Sequence, residues 1–218
     1  MPIANFPEPV KVVSFDIDGT LADERFSTLV WEEAIPRIYA RKENIDVESG
    51  KRHVYKEYSK IGKERLEWYD IQYWFQHFGL NQDWRELLES YKHEVHLYPE
   101  VPSVLRKLQP HYVLIVVTNA AKEFAKILTE SIENYFSHIF SATSDFKVLK
   151  SSPRLYELVC ERLGVTPDEL AHVGDNRKFD YLVPRTLGVK SYLLDRTRNL
   201  SSEFILKDLQ DFCSRMDV

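Results

Sequence analysis

Residues 10–15, Val-Lys-Val-Val-Ser-Phe, run almost unbroken as apolar chain into Asp16-Ile17-Asp18-Gly19-Thr20. A short apolar stretch closed by a glycine turn predicts a strand buried on both faces, the kind found in parallel sheets covered by helices. The pattern recurs. Residues 112–117 end at Thr118-Asn119, residues 170–173 end at Gly174-Asp175, and residues 138–142 and 190–194 supply two further strands. Helical patterns separate them over residues 102–108, 121–132, 178–187 and the C-terminal stretch from Ser202. Another helix starts at Pro153, is capped by the Ser152 hydroxyl and stops at Gly164, a residue free to turn left-handed. Thr166-Pro167-Asp168-Glu169 fits a capping box. Strands alternating with helices predict an α/β fold, a doubly wound parallel sheet with right-handed crossovers.

Residues 24–96 break the alternation. Aromatic and charged side chains prevail there, glycine is sparse, and residues 64–78 place Leu66, Tyr69, Tyr73 and Phe78 at a loose helical period. This reads as a helical domain inserted in a loop, where a chain leaves and returns at nearby points. The expected division is an α/β core of residues 1–23 plus 97–218 and a helical unit of residues 24–96. With 218 residues, 44% of them apolar, the chain has material for a real core. A net charge of −5 gives no electrostatic reason to expect nucleic acid or an acidic membrane as partner. Cys160 and Cys213 are the whole cysteine complement, so neither a disulfide scaffold nor a Cys-x-x-Cys metal site is available. Residues 1–10 carry Pro2, Pro7 and Pro9 without a basic start or apolar stretch, so no signal peptide is expected. The run 112–117 is too short to span a bilayer, and the expected address is the cytoplasm.

Polar residues gather where apolar strands end: Asp16 and Asp18, Thr118 and Asn119, Asp175 and Asp180, with Lys150 in a loop between the last two pairs. The carboxyl ends of parallel strands share one edge, where ligands bind, so these groups would meet at one crevice. Two carboxylates about 4 Å apart repel by roughly 4 kcal/mol at an effective dielectric near 20. Several together need a cation, and a divalent ion held by oxygens, best Mg²⁺, answers that need, with Lys150 as a further counter-charge. Asp16 and Asp18 would stay close while diverging at the turn, so that one attacks a substrate while the other handles protons. Thr20 can bond local backbone groups, and Thr118 and the Asn119 N–H could cradle phosphate oxygens.

Phe15-Asp16-Ile17-Asp18-Gly19-Thr20-Leu21, Val117-Thr118-Asn119, Lys150-Ser151-Ser152-Pro153 and His172-Val173-Gly174-Asp175 with Asp180 resemble, in order, the four motifs of the haloacid dehalogenase superfamily on its phosphatase branch. Residues 24–96 resemble the helical cap which that family places after its first motif. The resemblance implies Asp16 as nucleophile forming a phosphoaspartate and Asp18 as the acid and base. It implies Mg²⁺ held by Asp16, Asp175 and the Asp18 main-chain carbonyl. Thr118 and the Asn119 N–H would bind the phosphoryl group, Lys150 would neutralise it, and Asp180 would orient Lys150 or a metal-bound water. The substrate would be a small phosphorylated metabolite and the enzyme a monomer or homodimer. A 2-haloacid dehalogenase, which as the resemblance implies needs no metal and lacks the second aspartate of the first motif, is an alternative. So are a phosphotransferase or mutase on the same fold, and a non-catalytic binding protein. This sequence departs from the family at Ser151 and Ser152, where Pro-Asp is usual, at Asn176 and Phe179 around the last motif, and at Arg177 and Lys178, an unusual basic stretch beside the acidic site.

Other features have plainer readings. His93-Glu94-Val95-His96 lacks the His-Glu-x-x-His spacing and reads as a solvated face. Trp68, Tyr69, Tyr73, Trp74, Phe75 and Phe78 read mainly as the core of the insertion, with one or two of them facing the crevice. Arg25 reads equally as a surface residue or a contact for an anionic substrate. Lys147 is a fallback for Lys150, and Cys160 reads as packing.

Overall fold

The computed structural model describes residues 9–197, 199–200 and 202–216. Residues 1–8, on which most of the expectation of no signal peptide rests, lie outside the described residues. The first strand, β1, is Val12–Phe15. From there to the second strand the described chain is helical: α1 (Arg25–Thr28), a π-helical turn (Leu29–Ala34), α2 (Ile35–Glu43), α3 (Val47–Ile61), α4 (Ile71–His77), α5 (Trp84–Tyr91) and α6 (Val101–Leu108). Carboxylates begin three of these helices: Asp46, Asp70 and Asp83 accept the Ser49, Tyr73 and Arg85 N–H groups at 2.9, 3.0 and 2.8 Å. The rest alternates: β2 (Val113–Thr118), α7 (Lys122–Thr129), β3 (His138–Ser141), α8 (Pro153–Leu163), β4 (Leu170–Gly174), a π-helical turn (Arg177–Leu182), α9 (Val183–Arg185), β5 (Lys190–Leu194), β6 (Ile205–Leu206) and α10 (Leu209–Arg215).

The strands form one six-stranded sheet in the order β3-β2-β1-β4-β5-β6, and every pair is parallel. Side chains alternate across it. Val13, Phe15, Leu114, Val116, Ala171 and Val173 face a core closed by α6, α7 and α10, and this core continues without a break into Phe26, Val30, Val54 and Trp74 of the helical segment. Val12, Ile115, Val117 and Leu170 face a second core closed chiefly by α8. The expected doubly wound α/β sheet is what forms. Ser152 caps α8, Gly164 ends it at φ +68°, and Thr166 and Glu169 make the capping box.

Three expected elements differ. The C-terminal stretch from Ser202 is not helix throughout: Ile205–Leu206 adds a sixth strand beside β5, and α10 begins only after Asp208. The open edge of β5 decides this, because Leu193 and Asp195 N–H groups find the Phe204 and Leu206 carbonyls at 2.9 and 2.8 Å. The helix expected over 178–187 is a wide π turn followed by the short α9. Pro184 has no N–H to return to the Asp180 carbonyl, so a regular α turn cannot close there. The helix expected over 121–132 ends at Thr129.

Candidate active site

The order of strands reverses at β1, which pairs with β2 on one side and β4 on the other. A crevice opens past the carboxyl ends at such a switch point. Asp16 follows β1 directly and its N–H still bonds the Val173 carbonyl at 3.0 Å. The chain then folds back, with the Ile17 carbonyl accepting the N–H groups of Thr20, Leu21 and Ala22 at 3.1, 2.8 and 3.0 Å. Gly19 takes φ +72°, and a Cβ there would overlap the Asp175 carboxylate. A Cβ at Gly174 would likewise overlap Asp180. These two glycines let the acids close up, so that Asp16, Asp175 and Asp180 each bring an oxygen within 4.8 Å of the others.

Lys150 lies in this cluster almost fully buried, 2.9 Å from an Asp16 oxygen and in contact with Asp180. Asp180 is held from three sides: Oδ1 meets Lys150 and His172 Nε2, the latter at 3.0 Å, and Oδ2 accepts the Asn176 N–H at 2.9 Å. Burial would raise the Asp180 pKa, but Lys150 and His172 outweigh it and hold it down at about 2. Because that carboxylate only accepts, His172 donates from Nε2 and its Nδ1 accepts the Ser14 hydroxyl at 2.9 Å. Burial lowers the His172 pKa, so the ring is neutral. Ser14 and His172 are register partners on β1 and β4, which explains two polar residues in otherwise apolar strands. Asp180 thus rests on Lys150, with both of its oxygens engaged. Lys147 is the left-handed end of a π turn, at φ +55°, and has no place in the cluster.

Asp18 sits apart from the three acids, accepting the Ser27 hydroxyl of α1 at 2.8 Å. Burial pushes its pKa up to about 7, opposed by Ser27 and assisted by the Asp16 charge. Asp16 is pushed by burial to about 6, with Lys150 pulling it down. Asp175, though open at its outer edge, is crowded by protein on its inner side and by the charges of Asp16 and Asp180, which raise it to about 8. Asp16 and Asp175, two acids that burial and mutual repulsion keep from ionising easily, fit a divalent cation, and their donors are oxygens, the set that suits Mg²⁺. Both Asp180 oxygens are already engaged, so Asp16 and Asp175 are the carboxylates free to face an ion. Asp18 could join them only through its main-chain carbonyl, because its side chain lies outside the cluster.

Thr118 and Asn119 are buried at the end of β2 on the same crevice. Asn119 Oδ1 accepts the Lys150 N–H at 2.9 Å and its Nδ2 donates to the Tyr69 hydroxyl at 3.3 Å. Residues not foreseen also serve the site. Arg196 donates to the Gly19 and Thr20 carbonyls at 3.1 and 2.8 Å and pairs with Glu100 at 2.7 Å, pinning the turn after Asp18. Lys178, from the unusual basic stretch, pairs with Glu64 of the helical segment. The Thr20 hydroxyl makes no local bond; it is buried without a partner among the described residues. Arg25 pairs with Glu94 at 2.6 Å on the surface. Trp74, Phe75 and Phe78 are core, whereas Trp68 and Tyr69 line the crevice. Cys160 is buried packing, and His93 is solvent-exposed.

A sequence model described as haloacid dehalogenase-like hydrolase matches residues 10–188. The chain belongs to that family. The hydrolase is 32% identical to (S)-2-haloacid dehalogenase 4A of Burkholderia cepacia, over 41% of this chain and 39% of the relative. It thus aligns with less than half the length of that protein. It is 26% identical to phosphoglycolate phosphatase of Aliivibrio fischeri over 86% of this chain and 85% of the relative. Among solved structures it resembles a HAD phosphatase from Thermococcus onnurineus, with a TM-score of 0.84 and 24% identity over 95% of this chain and 98% of the other. It also resembles a 2-haloacid dehalogenase from Pseudomonas syringae pv. Tomato, at 0.70 and 20% over 95% and 98%. Both structural likenesses speak to the fold. No helix among the described residues is long and apolar enough to cross a membrane.

Proposed function

We propose that this hydrolase is a Mg²⁺-dependent phosphatase that cleaves a phosphomonoester through a phosphoaspartate on Asp16. The observation that carries the reading is Asp18: a second carboxyl two residues from the nucleophile, held by Ser27 and off Lys150, with its pKa pushed up by burial to about 7 so that it can hold or release a proton near neutral pH. An alcohol leaves a phosphoester with a proton, whereas a halide leaves a haloacid as the anion and needs none. The Asp18 acid therefore has a use in a phosphatase and none in a dehalogenase.

In the first step an Asp16 oxygen bonds phosphorus, the bond from phosphorus to the leaving oxygen breaks, and Asp18 protonates that oxygen. In the second, Asp18 takes a proton from water, whose oxygen bonds phosphorus as the bond to Asp16 breaks. Inorganic phosphate leaves and both acids are restored. Lys150 sits on Asp16 and not on Asp18, which favours the ionised nucleophile beside the protonated acid at neutral pH. Thr118 and the Asn119 N–H line the crevice where phosphoryl oxygens would lie. A Mg²⁺ ion, held by Asp16, Asp175 and the Asp18 carbonyl, would supply positive charge to offset the phosphoryl oxygens. Residues 24–96 would act as the cap that closes the cleft, and the working state would be a monomer or homodimer in the cytoplasm.

The test is hydrolysis of an aryl phosphate with and without Mg²⁺. Turnover should require the ion and fall by at least about 10³-fold in Asp16→Asn, which lacks the nucleophile. Retained turnover in that variant would sink the assignment. Chloride released from 2-chloropropionate in the presence of chelator would instead establish the dehalogenase named among the relatives.

A further inference from the structure

We infer that the phosphoester cleaved here carries a flat aromatic or heteroaromatic alcohol, neutral or cationic at its far end, selected by Trp31, Tyr58 and Glu32. The inference rests on the phosphatase reading and narrows it. Three observations carry it: the size, the walls and the charge of the cleft.

The cleft that begins at Asp16 holds about 640 Å³ and extends between the sheet edge and the helical segment. Pockets of roughly 300–1,000 Å³ enclose drug-sized molecules. A two- or three-carbon alcohol would leave most of this one to water. Six rings line it: Tyr69 beside Asn119, and Trp31, Tyr55, Tyr58, Trp68 and Phe124. The Trp31 ring is fixed, stacked on Phe124 at 5.2 Å and 5° and edge-packed by Tyr58 at 6.1 Å and 79°. The Tyr58 hydroxyl donates to the Trp31 carbonyl at 3.2 Å, which secures that backbone as well. Such a wall favours another ring, because offset and edge contacts between rings add to the area they bury.

Charge points the same way. Two lysines and six carboxylates line the cleft. One of the lysines, Lys150, is engaged by Asp16 and Asp180. The other, Lys63, lies exposed with its ammonium 6.0 Å from the Trp68 ring centre. Beyond the catalytic acids, Glu24 and Glu32 face the cleft from exposed positions, and neither is ion-paired among the described residues. Outside the catalytic cluster these two carboxylates outnumber the single ammonium of Lys63, so a carboxylate-bearing alcohol such as glycolate meets a net like charge there. A neutral or cationic ring does not, and a cation also gains from the ring faces.

The experiment compares kcat/KM, with Mg²⁺, for 2-naphthylmethyl phosphate and phosphoglycolate. Both esters have unactivated alkoxide leaving groups, so their ratio reports fit more than bond reactivity. The naphthyl ester should be preferred by about 3- to 10-fold, the size of one favourable ring contact. Trp31→Leu should reduce that ratio severalfold by lowering the naphthyl value, and Glu32→Lys should reduce it by raising the phosphoglycolate value. If Trp31→Leu fails to fold after losing its stack on Phe124, Glu32→Lys at an exposed position still decides the matter. Equal or better use of phosphoglycolate, or a ratio that neither variant moves, overturns the inference while Asp16-dependent turnover keeps the phosphatase reading. Absence of turnover for both esters and for the aryl phosphate overturns the two together.

Discussion

Lys150 answers two carboxylates at once, and its burial sets what its loss would do. In Lys150→Met, Asp16 and Asp180 would face each other inside the protein with no cation between them. Removing one partner of a buried pair typically destabilises by about 3–5 kcal/mol. Urea denaturation should show a loss of that size in metal-free protein, and adding Asp180→Asn to the same chain should restore part of it. A loss below about 1 kcal/mol would mean that the contact is no more than a surface pair. Gly19 makes the opposite kind of prediction, through space and not charge. In Gly19→Ala the new Cβ collides with Asp175, and the positive φ adds strain of about 1–3 kcal/mol. Both the thermal shift produced by Mg²⁺ and turnover should fall together, roughly 10-fold or more in activity, a loss equivalent to about 1.4 kcal/mol. An unaltered Mg²⁺ shift would show that Asp175 is not a ligand. At this scale the sequence already displayed the acids and the lysine, because their types are conspicuous at the ends of apolar strands. Ser14 and His172 were hidden, since a lone polar residue in a strand has meaning only once its neighbour across the sheet is known.

At the scale of elements, the turn after β1 is held by a residue far along the chain. Arg196 reaches the Gly19 and Thr20 carbonyls and is itself fixed by Glu100 and by the Tyr98 ring, 3.4 Å from its guanidinium carbon. Hydrogen bonds from a charged donor contribute roughly 1.5–3 kcal/mol where they are shielded, and less where water reaches them. Arg196→Ala should therefore lower stability by about 1–3 kcal/mol in urea and reduce turnover more than KM, because the turn that places Asp18 loosens. Stability reduced with kcat intact would show the turn to be self-supporting. Helix starts were legible from their caps, as at Ser152 and Thr166, since a cap is a local bond between residues two or three apart. The strand at Ile205–Leu206 was not, because two apolar residues have no period and only the edge of β5 makes them a strand. The π turn over Arg177–Leu182 was not legible either, because the wide turn closes only where Pro184 leaves the Asp180 carbonyl without a backbone donor and where Asp180 turns inward to the cluster.

For the whole molecule, the acid cluster ties stability to pH and metal together. Asp16 and Asp175, at about 6 and 8 in the fold, both stand above the ordinary value of 3.8. The metal-free fold therefore binds more protons than the unfolded chain across that interval. Their contribution is fully present below about pH 4 and is lost as pH rises through 6 and then 8. Asp180, held at about 2, works the other way: its contribution is present above about pH 4 and is lost as pH falls through 2. Metal-free protein should melt at progressively lower temperature from about pH 4 to pH 8. Mg²⁺ competes with those protons, so its stabilisation should grow over the same range. At about 100 times its dissociation constant it should add roughly 2.7 kcal/mol, or about 5–10 °C for a chain of this size. A melting temperature independent of both pH and Mg²⁺ would remove the coupled acid cluster from the account.

Runs of apolar residues, the acids that end them, and the capping pairs lie within a few bonds of one another along the chain. Local chemistry acts on them before any distant contact exists, so the strands, the positions of Asp16, Asp18, Thr118, Lys150 and Asp175, and the α/β class could all be read directly from residue order. Nothing local says that Lys150 will rest on Asp180, that His172 will bridge to Ser14, or that Glu32 and Trp31 will look into the cleft that begins at Asp16. Those pairings join residues separated by long stretches of chain. They exist only because the sheet takes the order β3-β2-β1-β4-β5-β6 and the helices after β1 pack back over its carboxyl edge, choices made by the packing of the whole core.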